Sequence, residues 1–323
     1  MRAIEVTEYG DADALSVVDR EAPSPGEGAV RITVEAAGIN FADVQMRRGH
    51  YPGGPEPPFV PGMEAAGTVA ETGEGVDLPE GQRVVAMTTG DSYAEEVVAP
   101  ADSLFPIPEG MSFAEAAGFP VQFLTAHNSL FGWDGLEEGE RVLVHAAAGG
   151  VGTAAVQLAA HEGTEVFGTA STAEKLDLAE RLGVDHPINY TEEDFGERVD
   201  EITDGAGVDL VLDGVGGNVF DDSLDALAHF GRLVTIGVAS GDPPAAPATK
   251  LLMENKRVIG FHLGNAVRHD PGRVLGAVPE LTELLTEGDL EVVVGETFDL
   301  DGAAEAHAHL EGRGSVGKVV LEP

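Results

Sequence analysis

The sequence predicts an α/β protein in which a doubly wound parallel sheet is inserted in a mainly-β domain. Three observations carry that reading. From about residue 120, apolar strand-like runs alternate with helical ones, the pattern of a parallel sheet with helices on both faces. One of those runs, Arg141–Ala146, leads straight into the small-residue turn Ala147-Ala148-Gly149-Gly150-Val151-Gly152. Before about residue 118, and again from Val293 to Leu321, short strands punctuated by Gly and Pro replace the alternation.

The elements follow in order. Ala29–Ala37, Gly67–Glu71 and Arg83–Met87 are short apolar or alternating runs, hence strands. Pro23, Pro25, Pro52, Pro55, Pro57, Pro58 and Pro61 break the chain around them. Arg141–Ala146 reads as a buried strand, Val151–Glu162 has helical spacing, and Thr164–Thr169 is a strand again. Ala173–Leu182 is helical, with Gly183 as its C-cap. Val208–Leu212, Arg232–Ile236 and Arg257–Phe261 continue the strands. The tail is expected to return as short strands and fold back onto the first part, making that domain discontinuous. The expected boundaries are residues 1–118 plus 262–323 for the mainly-β domain and 119–261 for the parallel sheet.

The length of 323 residues supports two domains with a large core. No run of 18 apolar residues exists to span a membrane. The start, Met1-Arg2-Ala3-Ile4-Glu5-Val6, enters strand-like sequence without the head of a signal peptide, so a cytoplasmic location is expected. There is no cysteine, so no disulfide forms and no thiolate serves as ligand or nucleophile. Eighteen basic residues face 57 acidic ones, a net charge of −39, which repels nucleic acid and anionic membranes. Such a surface suits either a basic partner or high intracellular salt. The acids are scattered along the chain and form no block, which favours salt adaptation and a halophilic source. At molar salt the Debye length falls to about 3 Å, and the self-repulsion is screened.

The turn after the Arg141–Ala146 strand matches a dinucleotide fingerprint. That motif needs small residues where the chain turns, where backbone approaches a pyrophosphate, and where helix meets strand. Ala147, Gly149 and Gly152 occupy those places, with Ala where the usual first residue is Gly. The pyrophosphate would rest on N–H groups of the helix that starts near Val151. A site for NAD carries Asp or Glu at the end of the second strand, to bond the ribose. Here that place falls near Ala170, with Ser171 beside it and Lys175 one helical turn on. A neutral pocket beside a cation predicts a 2′-phosphate, hence NADPH, although Lys175 could also pair with Glu174 or Asp177 on the helix surface. Only four lysines exist in the chain, which gives the position of Lys175 weight.

Several segments together resemble the zinc-independent quinone oxidoreductases of the medium-chain dehydrogenase/reductase superfamily, the group that includes zeta-crystallin. They are Ala36-Ala37-Gly38-Ile39-Asn40-Phe41-Ala42-Asp43, Pro61-Gly62-Met63-Glu64-Ala65-Ala66-Gly67, His145–Gly152, Ile188-Asn189-Tyr190 and Gly317-Lys318-Val319-Val320-Leu321. The resemblance implies a Rossmann domain inserted in a GroES-like catalytic domain, a homodimer, and a cleft between the domains for nicotinamide and substrate. Zinc-dependent relatives carry Cys where this chain has Asn40 and His where it has Met63, so no metal is expected. His307 and His309 are the closest pair of the ten histidines, but two residues apart on a helix they point to different faces.

Carried over by resemblance, the cofactor contacts are Asn40, Thr125, Ala148, Gly149, Gly150, Val151 and Gly152, then Ser171, Lys175 and Tyr190 for the 2′-phosphate. Gly237, Val238, Phe261, His262 and Leu263 are expected along the nicotinamide wall, with Lys318 and Asn265 as further contacts. The catalytic candidates are Asn40, Asp43, Gln45 and Tyr51. Asn40 is expected to donate a hydrogen bond to charge developing on substrate oxygen, and Asp43 to orient local backbone or Arg47. Many relatives have Tyr at the place of Gln45, which can donate a hydrogen bond but supplies no proton. Tyr51 or water could supply it, or the substrate differs. Three functions stay open: a quinone reductase, a reductase of α,β-unsaturated carbonyls or enoyl thioesters, and a non-catalytic NADPH-binding protein.

Overall fold

The computed structural model describes residues 1–133 and 135–323. The chain divides into two compact units, Met1–Val121 with Val292–Pro323, and Gln122–Glu291. The first unit opens with β1 (Arg2–Val6) and β2 (Leu15–Asp19), an antiparallel pair. There follow β3 (Ala29–Ile39), α1 (Phe41–Arg47), β4 (Glu64–Thr72), β5 (Arg83–Met87), β6 (Glu96–Pro100), β7 (Leu104–Pro106) and α2 (Phe113–Ala117). The strands alternate as expected of a sheet with one face in the core: Val30, Ile32 and Val34 of β3 are buried, while Arg31 takes the other face and pairs with Glu71 and Glu96.

The second unit holds α3 (Pro120–Phe131) from Gln122 on, then β8 (Arg141–Val144), α4 (Gly150–His161), β9 (Glu165–Ala170), α5 (Ala173–Arg181), β10 (His186–Asn189), α6 (Phe195–Ile202) and β11 (Val208–Asp213). It continues through α7 (Asn218–Ala226), β12 (Leu227–Thr235), α8 (Ala248–Glu254), β13 (Arg257–Gly260), α9 (Leu263–His269), α10 (Pro271–Leu275) and α11 (Val278–Glu287). Its six strands are all parallel and lie in the order β10-β9-β8-β11-β12-β13. The order runs outward both ways from β8 and β11, so the sheet is doubly wound as the sequence predicts, with its switch point between those two strands. Helix α5 ends as a Schellman motif. Gly183, at φ +117°, donates to the Glu180 carbonyl, and Val184 donates to that of Ala179.

The chain then returns to the first unit as β14 (Val294–Asp299), α12 (Ala303–Glu311) and β15 (Lys318–Glu322). The main sheet of that unit runs β14-β15-β3-β4-β5-β7, with β6 on β3. The discontinuous domain is therefore real, but its second boundary differs from the expected one. The return comes at Val292, not residue 262, because the helices before it pack within the second unit: the Asn128 side chain donates to the Val274 carbonyl, and Leu281 is fully buried. The tail also differs in holding a helix between its strands. Ala303, Ala306 and His307 recur at helical spacing and are buried. His307 is wholly buried, whereas His309, on another face, lies 3.6 Å from Glu296.

Candidate functional sites

The second unit gathers its candidate residues along the carboxyl ends of its strands. After β8 the chain turns at Ala146, a left-handed residue at φ +52°, and Ala147 donates to the Thr169 carbonyl beyond it. Since Ala146 takes the strained conformation, the first fingerprint place can be Ala147. Gly149 is the N-cap of α4, whose first N–H groups have no acceptor inside the helix. At Gly152 a Cβ would overlap the Ala146 carbonyl oxygen, so only glycine lets helix and turn approach this closely. The result is a cradle of N–H groups at the switch point, a setting that fits a pyrophosphate.

The neighbouring strand ends complete this row. β9 stops at Ala170, whose carbonyl accepts from the Tyr190 N–H at 3.2 Å, so the loops bearing Ser171 and Tyr190 adjoin. Thr172 caps α5 by accepting from the Lys175 N–H, and half-burial lowers the Lys175 pKa against the opposing pull of Glu174. Gly237 and Val238 follow β12, where Ala239 donates to the Gly214 carbonyl. Phe261 follows β13, is buried, and lies against Trp133 with centroids 5.2 Å apart. The His262 side chain caps α9 by accepting from the Asn265 N–H at 3.1 Å, ahead of Leu263. Thr125 is buried on α3. One turn before it, both amide atoms of Gln122 are buried without a partner among the described residues. A buried carboxamide left unsatisfied costs about 1–3 kcal/mol per group, so this one suits a polar ligand. His145 is no such orphan. Its Nδ1 lies 3.0 Å from Thr169 Oγ1 and its Nε2 2.8 Å from Ser223 Oγ, and burial pulls its pKa down to about 4.

The first unit holds a buried polar cluster around the start of α1. The Asn40 N–H donates to Asp43 Oδ2 at 2.8 Å, and Gly62 donates to Oδ1 at 3.3 Å. Tyr93 adds a third donor at 3.2 Å. Burial nonetheless pushes the Asp43 pKa up to about 6, against the pull of the Asn40 N–H, Lys318 and Tyr93. The same phenol meets His307 Nε2 at 3.1 Å, while Arg47 Nη1 faces His307 Nδ1 at 3.3 Å. Arg47 also bonds the Gly10 carbonyl and, at 2.7 Å, Glu311. Asp43 thus orients backbone as expected, but Arg47 belongs to Glu311, His307 and Gly10. Gln45 sits half-buried on α1, and its carbonyl accepts from the His50 N–H. Tyr51 is half-buried in the following loop, its pKa raised by burial and then by the charge of Asp43.

Two family models match the chain: the alcohol dehydrogenase GroES-like domain over residues 26–109 and the zinc-binding dehydrogenase domain over residues 150–282. Over 99% of its length the chain is 38% identical to the quinone oxidoreductase-like protein 2 homolog of Nematostella vectensis, covering 88% of that protein. The chain belongs to the quinone oxidoreductase branch of the medium-chain dehydrogenase/reductase superfamily. It is an oxidoreductase by that membership. It is also 36% identical to the human synaptic vesicle membrane protein VAT-1 homolog, over 100% of this chain and 86% of that one. Identity to the 2-haloacrylate reductase of a Burkholderia species is 37%, over 93% of this chain and 92% of the relative. Among solved structures, Escherichia coli quinone oxidoreductase complexed with NADPH superposes with a TM-score of 0.94 at 33% identity, each chain fully covered. A mycobacterial protein complexed with NADPH gives 0.95 at 39%, again over the whole of both chains.

Lys318 has partners within the first unit that its sequence neighbours do not show. Its ammonium is buried on Glu64 and donates to Asn40 Oδ1 at 2.7 Å, so it is committed inside the first unit. Asn40 in turn donates from Nδ2 to Glu64 Oε1 at 3.0 Å. Glu64, Tyr93, His307 and Gln122 escaped the sequence reading. Glu64 had left a signal: a carboxylate at the head of the apolar run Ala65-Ala66-Gly67 must find partners when the strand is buried. Tyr93 and His307 left none, because their partners lie 50 or more residues away. Among the described residues, no helix is long and apolar enough to cross a membrane.

Proposed function

We propose that this oxidoreductase is an NADPH-dependent, zinc-independent reductase of quinones. The observation that carries the cofactor is the row at the strand ends: the N–H cradle at Gly149–Gly152, then Ala170 in place of an acid with Ser171, Lys175 and Tyr190 around it. Gly149, Gly150, Val151 and Gly152, with Ala148 packed beneath, would hold the pyrophosphate. Ser171, Lys175 and Tyr190 would hold the 2′-phosphate. Thr125, Gly237, Val238, Phe261, His262 and Leu263 are the residues for the nicotinamide end, and the orphaned Gln122 amide joins them. When bound, NADPH supplies a hydride. Asn40 donates a hydrogen bond to the substrate oxygen that gains charge. Asp43, fully buried, holds the Asn40 and Gly62 backbone in place and stays away from substrate. Gln45 orients substrate without giving a proton, and Tyr51 or water gives it.

Zinc-independence rests on residue chemistry. Neither Asn40 nor Met63 is a good zinc ligand, and Asn40 is already engaged with Glu64 and Lys318. Among the described residues, no three His, Asp or Glu side chains converge to bind a metal. The match to a haloacrylate reductase, together with Gln45 in the usual place of a tyrosine, favours a second reading as a reductase of conjugated carbonyls. The protein is further proposed to be cytoplasmic, salt-adapted and dimeric. The edge strand β13 and the exposed Phe230, Leu252 and Met253 supply an apolar margin for a second copy.

The test follows NADPH oxidation in molar KCl with a quinone, an enone and an enoyl thioester. Turnover of the quinone with the highest kcat/KM is expected. Preference for the enone or thioester moves the function to the second reading. Tight NADPH binding with no turnover of any acceptor overturns both. Light scattering in the same buffer reads the dimer.

A further inference from the structure

Glu64 is a buried carboxylate of the first unit that stability alone does not explain. It is fully buried at the head of β4, and three donors converge on it: the Val121 N–H at 2.8 Å, Asn40 Nδ2 at 3.0 Å and the Lys318 ammonium. A buried ion pair seldom outperforms well-packed apolar residues of the same volume. The surroundings nevertheless make room for it. At Gly38 a Cβ would stand 2.6 Å from Lys318 Cε and 2.8 Å from Glu64 Oε1, besides meeting the Ala117 carbonyl. A methyl group there would displace the pair.

What the pair acts on is the carboxamide of Asn40. Its oxygen accepts from the ammonium at 2.7 Å, and one N–H points at the carboxylate. Turning the amide over would set NH2 against the cation and oxygen against the anion, so a single orientation survives. Among the described residues the second N–H meets only the Gly38 carbonyl, at 3.4 Å, a long and weak contact. A cation on the amide oxygen also draws electron density from nitrogen, which strengthens the remaining N–H as a donor.

Resting on the reductase reading above, we infer that Glu64 and Lys318 are positioning residues that orient and polarise Asn40 as the donor to the reacting substrate oxygen. The acceptor is reduced by two electrons delivered as hydride, and the nicotinamide is oxidised. The electron pair collects on the substrate oxygen, which then takes a proton from Tyr51 or water. The Asn40 proton stays on Asn40.

The test is the double variant Lys318→Met/Glu64→Leu, which removes both charges and leaves no uncompensated ion to block folding, beside Asn40→Ala and the triple variant. The double variant is expected to lower quinone kcat about 10- to 100-fold, with NADPH affinity by fluorescence titration within about twofold of wild type. The triple variant should be no slower than Asn40→Ala, since the pair acts only through that side chain. Lys318→Arg, which keeps the cation, should recover part of the rate. Wild-type kcat in the double variant overturns the inference, as do losses that multiply in the triple variant, or parallel losses of kcat and NADPH affinity. Wild-type protein that binds NADPH but reduces no acceptor sinks the reductase reading instead, and this inference with it.

Discussion

His307 offers a sharp test of the buried cluster. Burial, helped by the charge of Arg47, pulls its pKa down to about 3. A group depressed on folding contributes stability that is complete above its unfolded value, about 6.5, and is lost as pH falls towards the folded value. Each pH unit in that window removes about 1.4 kcal/mol. Between about pH 7 and about pH 5, His307 therefore removes roughly 2 kcal/mol, and His145, depressed to about 4, removes as much in the second unit. Asp43 acts the other way. Its pKa is raised to about 6, so the folded state keeps the proton more firmly, and stability recovers by about 1.4 kcal/mol between about pH 7 and about pH 5. In His307→Gln the His307 contribution vanishes while the other two remain. The wild-type loss between about pH 7 and about pH 5 should then exceed that of the variant by roughly 2 kcal/mol. At about 2–4 °C per kcal/mol for a unit of this size, the difference in Tm shift is roughly 4–8 °C. Calorimetry in molar KCl at the two pH values reads it. Surface acids are common to both proteins and cancel. Equal pH dependence of the two Tm values would refute the assignment of a neutral, buried imidazole, as would an NMR titration of His307 with a midpoint near 6.

Two further outcomes test the cofactor row. Lys175→Ala should raise KM for NADPH roughly 10- to 100-fold and leave KM for NADH nearly unchanged, as the proposed 2′-phosphate contact requires; steady-state kinetics with both cofactors decides, and equal effects would remove Lys175 from the site. Gly152→Ala forces a methyl group onto the Ala146 carbonyl and Ala147 Cα, so the turn must shift. A loss of NADPH affinity of about tenfold or more is expected in a fluorescence titration, and an unchanged Kd would show that the turn is not the cradle.

What the sequence made legible follows from range. The parallel sheet shows in residues adjacent along the chain: Arg141–Ala146, the glycine turn and Val151–Glu162 are each a local pattern, and the structure has β8, the cradle and α4 there. The absence of an acid at Ala170 is equally local. The boundary at Val292 was not legible, because helices α9–α11 carry no mark of which core they join. Nor was the Asp43–Tyr93–His307–Arg47–Glu311 line, whose members stand on β-strand approach, helix and tail and meet only in space. The resemblance names Lys318 as a cofactor contact and says nothing of its partners within this chain. Its burial on Glu64 is a tertiary fact.

The insertion of β15 between β3 and β14 has a consequence for synthesis. Lys318 follows Glu64 by 254 residues. At about 5–20 residues per second, the carboxylate leaves the ribosome roughly 13–50 s before its cation. By the end of that interval the second unit has all its strands and can fold. Until β15 arrives, the first unit has an open margin on β3 and a Glu64 without its Lys318 partner. The nascent protein must keep that margin wet and uncollapsed, and its dense negative charge, repelling other growing chains, is suited to doing so. The sheet of the first unit is completed late, when β15 enters between β3 and β14.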